Sequence, residues 1–351
     1  MSKISPPVID TDVHEMYLSI KDLVPYLDEP WRSRVAVADG WKPQSLPYSW
    51  PLIGGVARAD AALPNGKPAG SDYQIMKTQH LDPNNIEAAV LTGLFYPTEM
   101  KVQPQFASGL ARAYNDWTKA TWLSKDSRFK GSICIAAQEP HVAAEEIDRV
   151  AEDPRYVQVI LPALTHDVLG REFYHPIFDA AQRNNLVVAF HQGYSTQTAV
   201  GLPPYYIEWH TAIPQAWQCQ LVGLIAHGVF DKYPGLRVAL IESSWTWLPS
   251  LMWRFDHNYR SLRREIPWVK RMPSELIREN VRVSTQPMEF PDNPEHLFQL
   301  FEMIGTDEFL MYSSDYPHWD YDDPGRALPA IFPKDLRHKI NYENAKKLYG
   351  I

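Results

Sequence analysis

The sequence predicts an α/β protein, a (β/α)8 barrel of the TIM-barrel type, and three observations lead to this expectation. Short β-branched or apolar segments alternate with segments of helical periodicity, a pattern typical of repeated βα units and a parallel sheet. Eight such segments can be counted, and eight strands that are each followed by a helix can close without sheet edges. The chain has 351 residues, and barrels of this kind often use about 250 residues or more as one domain.

The eight predicted strands are short and rich in Val, Ile, Leu and Ala. They are Val8–His14, Ala88–Gly93, Gly131–Ala136, Tyr156–Ala163, Leu186–Gly193, Arg237–Ser244, Val281–Pro287 and Phe309–Pro317. Helical periodicity is found between them at Gln105–Leu123, Ala143–Ala151, Pro176–Asn184, Pro214–Tyr233, Leu248–Arg263 and Pro294–Ile304, and in a last segment that ends at Leu348. We therefore expect a single barrel domain over residues 1–351.

One long segment interrupts this alternation. Between Leu23 and about Asp82 the chain has three tryptophans, several prolines and glycines, and little periodicity. A loop of this length within a compact domain is usually functional. We therefore expect residues 23–82 to form an insertion after the first strand that covers the barrel mouth as a lid. A packing arm or a dimer contact is the alternative interpretation.

The composition indicates a globular protein and argues against several classes of partner. The formal net charge of −8 provides no basic field for a phosphate backbone, so no nucleic-acid partner is expected. No segment approaches about 18 consecutive apolar residues, and the N-terminus lacks the apolar segment of a signal peptide. We therefore expect no membrane partner and a cytoplasmic protein, with a homodimer left open. Cys134 and Cys219 lack CxxC spacing, so neither a zinc knuckle nor a disulfide framework is indicated.

Ligand-type side chains occur at the carboxyl ends of three predicted strands. Asp12 and His14 end the first strand, His191 ends the fifth, and Asp315 ends the eighth. In a barrel these ends share one face, and residues two apart on a strand point the same way. Two imidazoles with two carboxylates suit Zn²⁺, Mn²⁺ or Fe²⁺. The sequence therefore predicts one divalent ion, zinc or manganese with iron as a third choice, held by these four side chains.

Further polar and aromatic residues follow the same strand ends. Asp315 is predicted to accept a proton during catalysis, with Glu242 at the end of the sixth strand or His210 beyond the fifth assisting it. For His210, a loop contact is an equally good interpretation. The many aromatic residues of the long loops suggest a largely apolar pocket. Residues that follow His14 and Asp315 are candidates to bind a small-molecule substrate, namely Glu15, Tyr17, His318 and Trp319.

Five segments carry a resemblance to a known family. They are IDTDVHE near the start, FHQG in the middle, GVFDKYPGLRVALIE before the sixth strand, SSDYP near the end and the terminal YENAKKLYGI. They resemble the amidohydrolase-2 branch of the amidohydrolase superfamily, and the resemblance covers nearly the whole chain. That branch contains aminocarboxymuconate-semialdehyde decarboxylase, resorcylate-type decarboxylases and several hydrolases.

The resemblance implies roles by position. Asp12 and His14 take the two places of the family's H-x-H motif, which is E-x-H in some decarboxylases. His191 matches the metal histidine of strand 5, and Asp315 matches the strand-8 aspartate that contacts the metal and its water. A carboxylate in the first place departs from the common pattern, should weaken the Lewis acidity of the ion, and favours Mn²⁺ over Zn²⁺.

A second departure bears on the reaction. Family decarboxylases carry a histidine at the end of strand 6 for acid–base chemistry, whereas this chain has Glu242 in the segment Ile241-Glu242-Ser243-Ser244. The leading prediction is therefore hydrolysis, in which a metal-activated water attacks an amide, lactone, ester or thioester of an apolar or aromatic small molecule. Non-oxidative decarboxylation or hydration of an aromatic or muconate-type acid is the alternative. A non-catalytic metal-binding barrel is a third interpretation.

Overall fold

Eight parallel strands form one sheet in the order β1 to β8, as the sequence predicts. The computed structural model describes residues 6–37, 57–61, 63, 66–93, 95–99, 102–193 and 198–351. The strands are β1 Val8–Val13, β2 Ile86–Leu91, β3 Phe129–Cys134, β4 Tyr156–Pro162, β5 Val187–His191, β6 Arg237–Leu240, β7 Val281–Ser284 and β8 Leu310–Met311. All eight predicted strands are confirmed, and most of them end a few residues before their predicted limits.

Helices follow the strands and surround the sheet. The described α-helices are α1 Trp31–Ala36, α2 Tyr73–Met76, α3 Pro104–Thr118, α4 Pro140–Ala151, α5 His175–Arg183, α6 Tyr206–Ala212, α7 Gln215–Ala226, α8 Val229–Lys232, α9 Leu248–Leu262, α10 Pro273–Asn280, α11 Pro294–Ile304, α12 Lys334–His338 and α13 Asn344–Tyr349. Short 3₁₀ helices occur at Ile20–Tyr26, Ala59–Ala61, Pro97–Glu99 and Glu172–Tyr174, and π-helical turns at Lys77–Leu81, Lys119–Leu123 and Lys339–Glu343. Among the described helices, none has the length and apolar character needed to cross a bilayer.

Four of these helices, α1, α2, α6 and α10, were not predicted from periodicity. Helix α6 has only seven residues and lies in the segment interpreted as an aromatic-rich loop, and so short an element shows little hydrophobic period. Helix α10 has eight residues. Its start was marked by Pro273 in the first turn and Glu275 at the third position, which are typical of a helix N-terminus.

The buried side chains form an inner and an outer cluster, because successive residues of a strand point to opposite faces. The outer cluster joins the strands to the surrounding helices. The inner cluster includes Ile9, Val90, Ala189 and Met311 from four different strands, and it also contains Leu348 from α13. Helix α13 therefore packs against the barrel interior and contributes to one end of it.

The barrel closes between β8 and β1 with little regular ladder. Strand β8 is two residues long, and the pairing with β1 is made by an isolated bridge between Val13 and Tyr316. Single backbone hydrogen bonds add to it, including those from Thr11 N to Tyr312 O and from Asp315 N to Asp12 O. We call this junction the β1–β8 seam.

The described parts of the insertion after β1 have different neighbours. Helix α1 packs on the outside of the barrel, where the ring of Trp31 lies 5.1 Å from that of Phe106 in α3. Ala57, in contrast, pairs with His318 just beyond β8, at the carboxyl end of the strands. Residues 38–56, the centre of the predicted lid, lie outside the described residues, so the lid stays a prediction.

Candidate metal centre

The four predicted metal ligands meet at the carboxyl end of the barrel. Asp12, His14, His191 and Asp315 are all fully buried. Ligand atoms of the first three lie within 4.8 Å of one another, and Asp315 Oδ1 lies 2.7 Å from His14 Nε2. They converge because the carboxyl ends of parallel barrel strands surround one opening.

Each imidazole is oriented by a hydrogen bond from its far side. His14 Nδ1 lies 2.7 Å from the carbonyl oxygen of Gly93, and His191 Nδ1 lies 2.8 Å from the hydroxyl of Tyr96. These contacts leave Nε2 of both rings directed toward the carboxylates. Metal-binding histidines in proteins are usually held in this way, because the outer contact fixes ring orientation and tautomer. Thr92 adds a hydrogen bond of 2.6 Å from Oγ1 to Asp12 Oδ1.

Two facing atoms of this cluster have unmet bonding capacity. Asp12 Oδ2 and His191 Nε2 lie 3.5 Å apart, and among the described residues neither has a hydrogen-bond partner. A buried polar atom without a partner costs about 1–3 kcal/mol. One divalent cation between them would satisfy both atoms, and two nitrogen with two oxygen donors suit manganese or zinc. The residues present therefore fit a single divalent ion.

Glu242 lies beside this cluster at the end of β6. Its Oε2 lies 3.3 Å from His191 Nε2, and the Gln192 amide, in the orientation that satisfies both groups, donates to both Glu242 oxygens. Burial, with the nearby carboxylates Asp315 and Asp12, raises the pKa of Glu242 well above its usual value. Its backbone φ of 56° is left-handed, an uncommon conformation that is often retained at functional sites.

Asp315 is held by three side chains. Its Oδ1 accepts from His14 and from His318 Nδ1 at 2.6 Å, and its Oδ2 accepts from Gln286 Nε2 at 3.2 Å. Burial raises the pKa of this carboxyl, but the opposing effect of the His318 and His14 imidazoles is larger and holds the pKa well below its usual value. Asp315 also has a left-handed backbone, with φ of 58°.

His210 reaches this site through an aspartate that the sequence analysis did not single out. Its Nε2 lies 3.4 Å from Asp320 Oδ2, and Gln286 Nε2 donates to the same oxygen at 2.8 Å. The rings of Tyr206 and Trp319 lie 5.4 and 5.7 Å from the His210 ring. Gln286 could have been found from its position, since it is the next-to-last residue of the predicted strand Val281–Pro287, whereas Asp320 lies in a loop without such a signal.

The predicted substrate-binding residues divide into two groups. The His318 ring lies 4.4 Å from that of His14, and Trp319 is next to His210, so both are at the mouth. Glu15 instead accepts a hydrogen bond of 3.0 Å from Tyr114 in α3, and Tyr17 lies 6.1 Å from the ring of Trp117.

Glu15 directly follows His14, two residues beyond the end of β1, and its side chain points to α3 instead of to the candidate ligands. Burial raises the pKa of this carboxyl to about 7. The structure therefore does not bring Glu15 and Tyr17 together with the four candidate ligands, and their role in substrate binding stays a prediction.

Comparison with known proteins identifies relatives over almost the full chain. A family model described as amidohydrolase matches residues 9–351. The γ-resorcylate decarboxylase of Rhodococcus jostii is 24% identical over 299 residues, covering 80% of this chain and 88% of the relative. The γ-resorcylate decarboxylase of a Rhizobium species is 23% identical over 293 residues, with the same coverage of both chains.

Solved structures show the same fold. A dihydroxybenzoic acid decarboxylase from a Polaromonas species, solved with bound manganese and the inhibitor 2-nitroresorcinol, has a TM-score of 0.70 at 18% identity and covers 99% of this chain and 97% of its own. An amidohydrolase from Mycobacterium avium subsp. paratuberculosis has a TM-score of 0.73 at 20% identity and covers 99% and 100%. At these identities the likeness establishes the (β/α)8 barrel.

Proposed function

This chain belongs to the amidohydrolase-2 family, and we propose that it is a manganese-dependent, non-oxidative decarboxylase of a hydroxylated aromatic acid. The observation that carries the proposal is the buried cluster of Asp12, His14, His191 and Asp315. Two of its ligand atoms lack partners in the described structure, in a chain whose curated relatives are γ-resorcylate decarboxylases. Hydrolysis of an acyl bond, the leading prediction from the sequence, becomes the second candidate.

The position of Glu242 in the folded protein weakens the case for hydrolysis. It depended on the absence of a histidine at the end of strand 6. The carboxyl group of Glu242 occupies that region, 3.3 Å from His191 Nε2, so the centre still has an acid–base group there. A carboxylate at Asp12 also matches the E-x-H pattern of some family decarboxylases, which the sequence analysis noted.

Decarboxylation requires a proton to replace the departing carboxylate. The C–C bond breaks, CO₂ leaves, and the electron pair that remains on the ring carbon takes up a proton. When bound, a divalent ion supplies positive charge that stabilises anionic oxygen atoms of the substrate. Asp315 is the proposed proton carrier, since its Oδ1 is engaged by two imidazoles whereas the Gln286 contact to its Oδ2 is longer, at 3.2 Å. Glu242 is the second carboxyl group in reach of the cluster.

The aromatic side chains near the mouth suit a flat substrate. The rings of Tyr206 and Trp319 both lie within contact distance of the His210 ring. Aromatic faces favour offset or edge-to-face packing of another ring. Polar groups at the same place, chiefly Asp320 and Gln286, would orient hydroxyl groups of that ring through hydrogen bonds. A hydroxylated aromatic acid therefore fits both the apolar and the polar part of this surface.

A product assay with the manganese-loaded protein tests the proposal. Hydroxylated benzoic acids are incubated in D₂O, and CO₂ release is measured together with deuterium at the carbon that lost the carboxylate. Esters, lactones, amides and thioesters of aromatic acids are assayed in parallel. We expect CO₂ release with one deuterium incorporated per turnover. Acyl hydrolysis without CO₂ release from any acid would overturn the proposal in favour of the second candidate.

A further inference from the structure

The β1–β8 seam carries two of the four candidate metal ligands but few regular sheet contacts. Asp12 lies on the β1 side, and Asp315 lies on the β8 side. The carboxylate spacing across the seam decides whether both can reach one ion, and strand β8 ends four residues before Asp315. Something other than a continuous ladder must therefore hold these two segments in register.

A buried carboxylate bridges the seam at this point. Asp10 Oδ1 accepts a hydrogen bond of 3.1 Å from the backbone nitrogen of Asp12. The same oxygen accepts one of 2.9 Å from the backbone nitrogen of Ser314, across the seam. The first donor is the backbone of the candidate ligand Asp12, and the second is the backbone of Ser314, which directly precedes the candidate ligand Asp315. Asp10 is fully buried, so no solvent competes for these bonds.

The second oxygen of Asp10 is held by a histidine from the helical segment before β2. His80 Nε2 donates to Asp10 Oδ2 at 2.7 Å, and His80 is also fully buried. Its Nδ1 lies 3.2 Å from Asn84 Nδ2 and 3.3 Å from the Tyr321 hydroxyl. The His80 ring also stacks on Tyr316, with centroids 5.0 Å apart and planes at 11°. The carboxylate of Asp10 is therefore fixed in orientation as well as in place.

We propose that Asp10 and His80 are positioning residues for the metal centre, which hold the β1–β8 seam in register and thereby set the spacing of Asp12 and Asp315. This inference rests on the proposed metal site but does not depend on which reaction the site performs. Neither residue belongs to the ligand set, so both act through the backbone of others. Outer contacts of this kind typically change metal affinity or activity by about 10–100-fold when removed.

The test is the Mn²⁺ dissociation constant of the protein, measured by equilibrium dialysis for wild type, four variants at the seam and one control variant. His80→Phe keeps a ring that can stack on Tyr316 but removes the donor to Asp10, and Asp10→Ala removes the bridge itself. We expect both to bind Mn²⁺ about 10–100-fold more weakly. His80→Gln and Asp10→Asn retain a polar group at each place and should recover affinity to within about tenfold of wild type.

Tyr349→Phe is the matched control, because it removes a buried hydrogen bond, to Gln158, that is not one of the bonds across the seam. It should lower the melting temperature without changing the Mn²⁺ dissociation constant. If His80→Phe behaves like this control, with lower stability and wild-type Mn²⁺ affinity, the pair is only structural and the inference is wrong. If Asp10→Ala does not fold, His80→Phe decides alone. Absence of decarboxylation in the wild type would leave this comparison intact, since it measures metal binding without substrate.

Discussion

The two ends of the barrel differ in how their buried polar groups are paired. At the amino end, Tyr349 donates to Gln158 Oε1 at 2.8 Å, and Gln158 Nε2 donates to Ser132 Oγ, also at 2.8 Å. Ser132 in turn donates to the carbonyl oxygen of Leu91. Each hydrogen bond of this network pairs one buried polar group with the next, and α13 packs beside the network. The buried side chains of Tyr349, Gln158 and Ser132 therefore all have hydrogen-bond partners.

The carboxyl end keeps groups that would be unfavourable in a purely structural core. Asp12 Oδ2 and His191 Nε2 are buried without a hydrogen-bond partner among the described residues. Glu242 is buried near other carboxylates, which raises its pKa, and both Glu242 and Asp315 have left-handed backbones. Such features cost stability and are retained where a site needs them. The barrel therefore pairs its buried polar groups in the Tyr349 network and leaves candidate ligand atoms unpaired at the carboxyl end.

Loss of the metal ion from the carboxyl end should have the largest effect on turnover. Chelation of the wild type, or the substitution His191→Ala, should reduce turnover to the uncatalysed background, because the ion is then absent or weakly held. Metal content by elemental analysis is measured beside activity. Adding Mn²⁺ should restore the chelated wild type but leave His191→Ala impaired. Full turnover by either metal-free protein would contradict a metal-dependent reaction.

The substitution Asp315→Asn should leave the ion in place but remove the proton carrier. General acid–base groups typically contribute about 10²–10⁴-fold, so we expect a loss of this size in kcat at matched metal occupancy. Occupancy must be measured in the same preparation as kcat. If the variant kept a kcat near that of wild type, Asp315 would not be the proton carrier, and Glu242 or His210 would have to carry the proton.

A buried acid near the carboxyl end should lower stability as the pH rises. Burial raises the pKa of Glu289 from 4.5 to about 7. Below the unfolded value the group is protonated in both states and has no effect. As the pH rises from there to about 7, the unfolded state gains stability by ionising first. Glu289→Gln should therefore match wild type at low pH and exceed it at pH 8, by up to about 3 kcal/mol.

Chemical denaturation at pH 4 and pH 8 measures this difference, and Glu308→Gln provides a control of opposite sign. The Lys347 ammonium that donates to Glu308, together with Arg282, lowers the pKa of Glu308. Its charged form is therefore favoured by folding, and its contribution is lost as the pH falls. Glu308→Gln should be slightly less stable than wild type at pH 8. Equal effects of both substitutions at pH 8 would show that burial of Glu289 has no cost.

The smallest effect is expected at the amino end. Tyr349→Phe leaves Gln158 Oε1 without its donor, and an unsatisfied buried acceptor costs about 1–3 kcal/mol. We expect a destabilisation in the lower half of this range in thermal or denaturant unfolding, with kcat and KM unchanged. A loss of activity at full metal occupancy would show that the two ends are coupled, against the separation argued above.

The barrel and the four candidate ligands could both be predicted from the sequence alone. Strand-length apolar segments that alternate with helical ones leave few other architectures. The four candidate ligands could be named because each lies at or near the carboxyl end of a predicted strand, and these ends of a parallel barrel surround one opening. This local rule needs no knowledge of loops. The same rule, applied to the seventh strand, would also have found Gln286.

Contacts between segments that are distant in sequence could not be predicted, because they depend on how the chain packs in three dimensions. The His80 bond to Asp10 joins residues 70 positions apart, and the sequence analysis had no basis to separate His80 from the other histidines. Asp320, which contacts His210, lies in a loop, and a loop has no periodic pattern from which its position could be predicted. Glu15 directly follows the candidate ligand His14 but points toward α3, where it accepts a hydrogen bond from Tyr114. Periodicity identifies elements, whereas long-range packing decides which side chains meet.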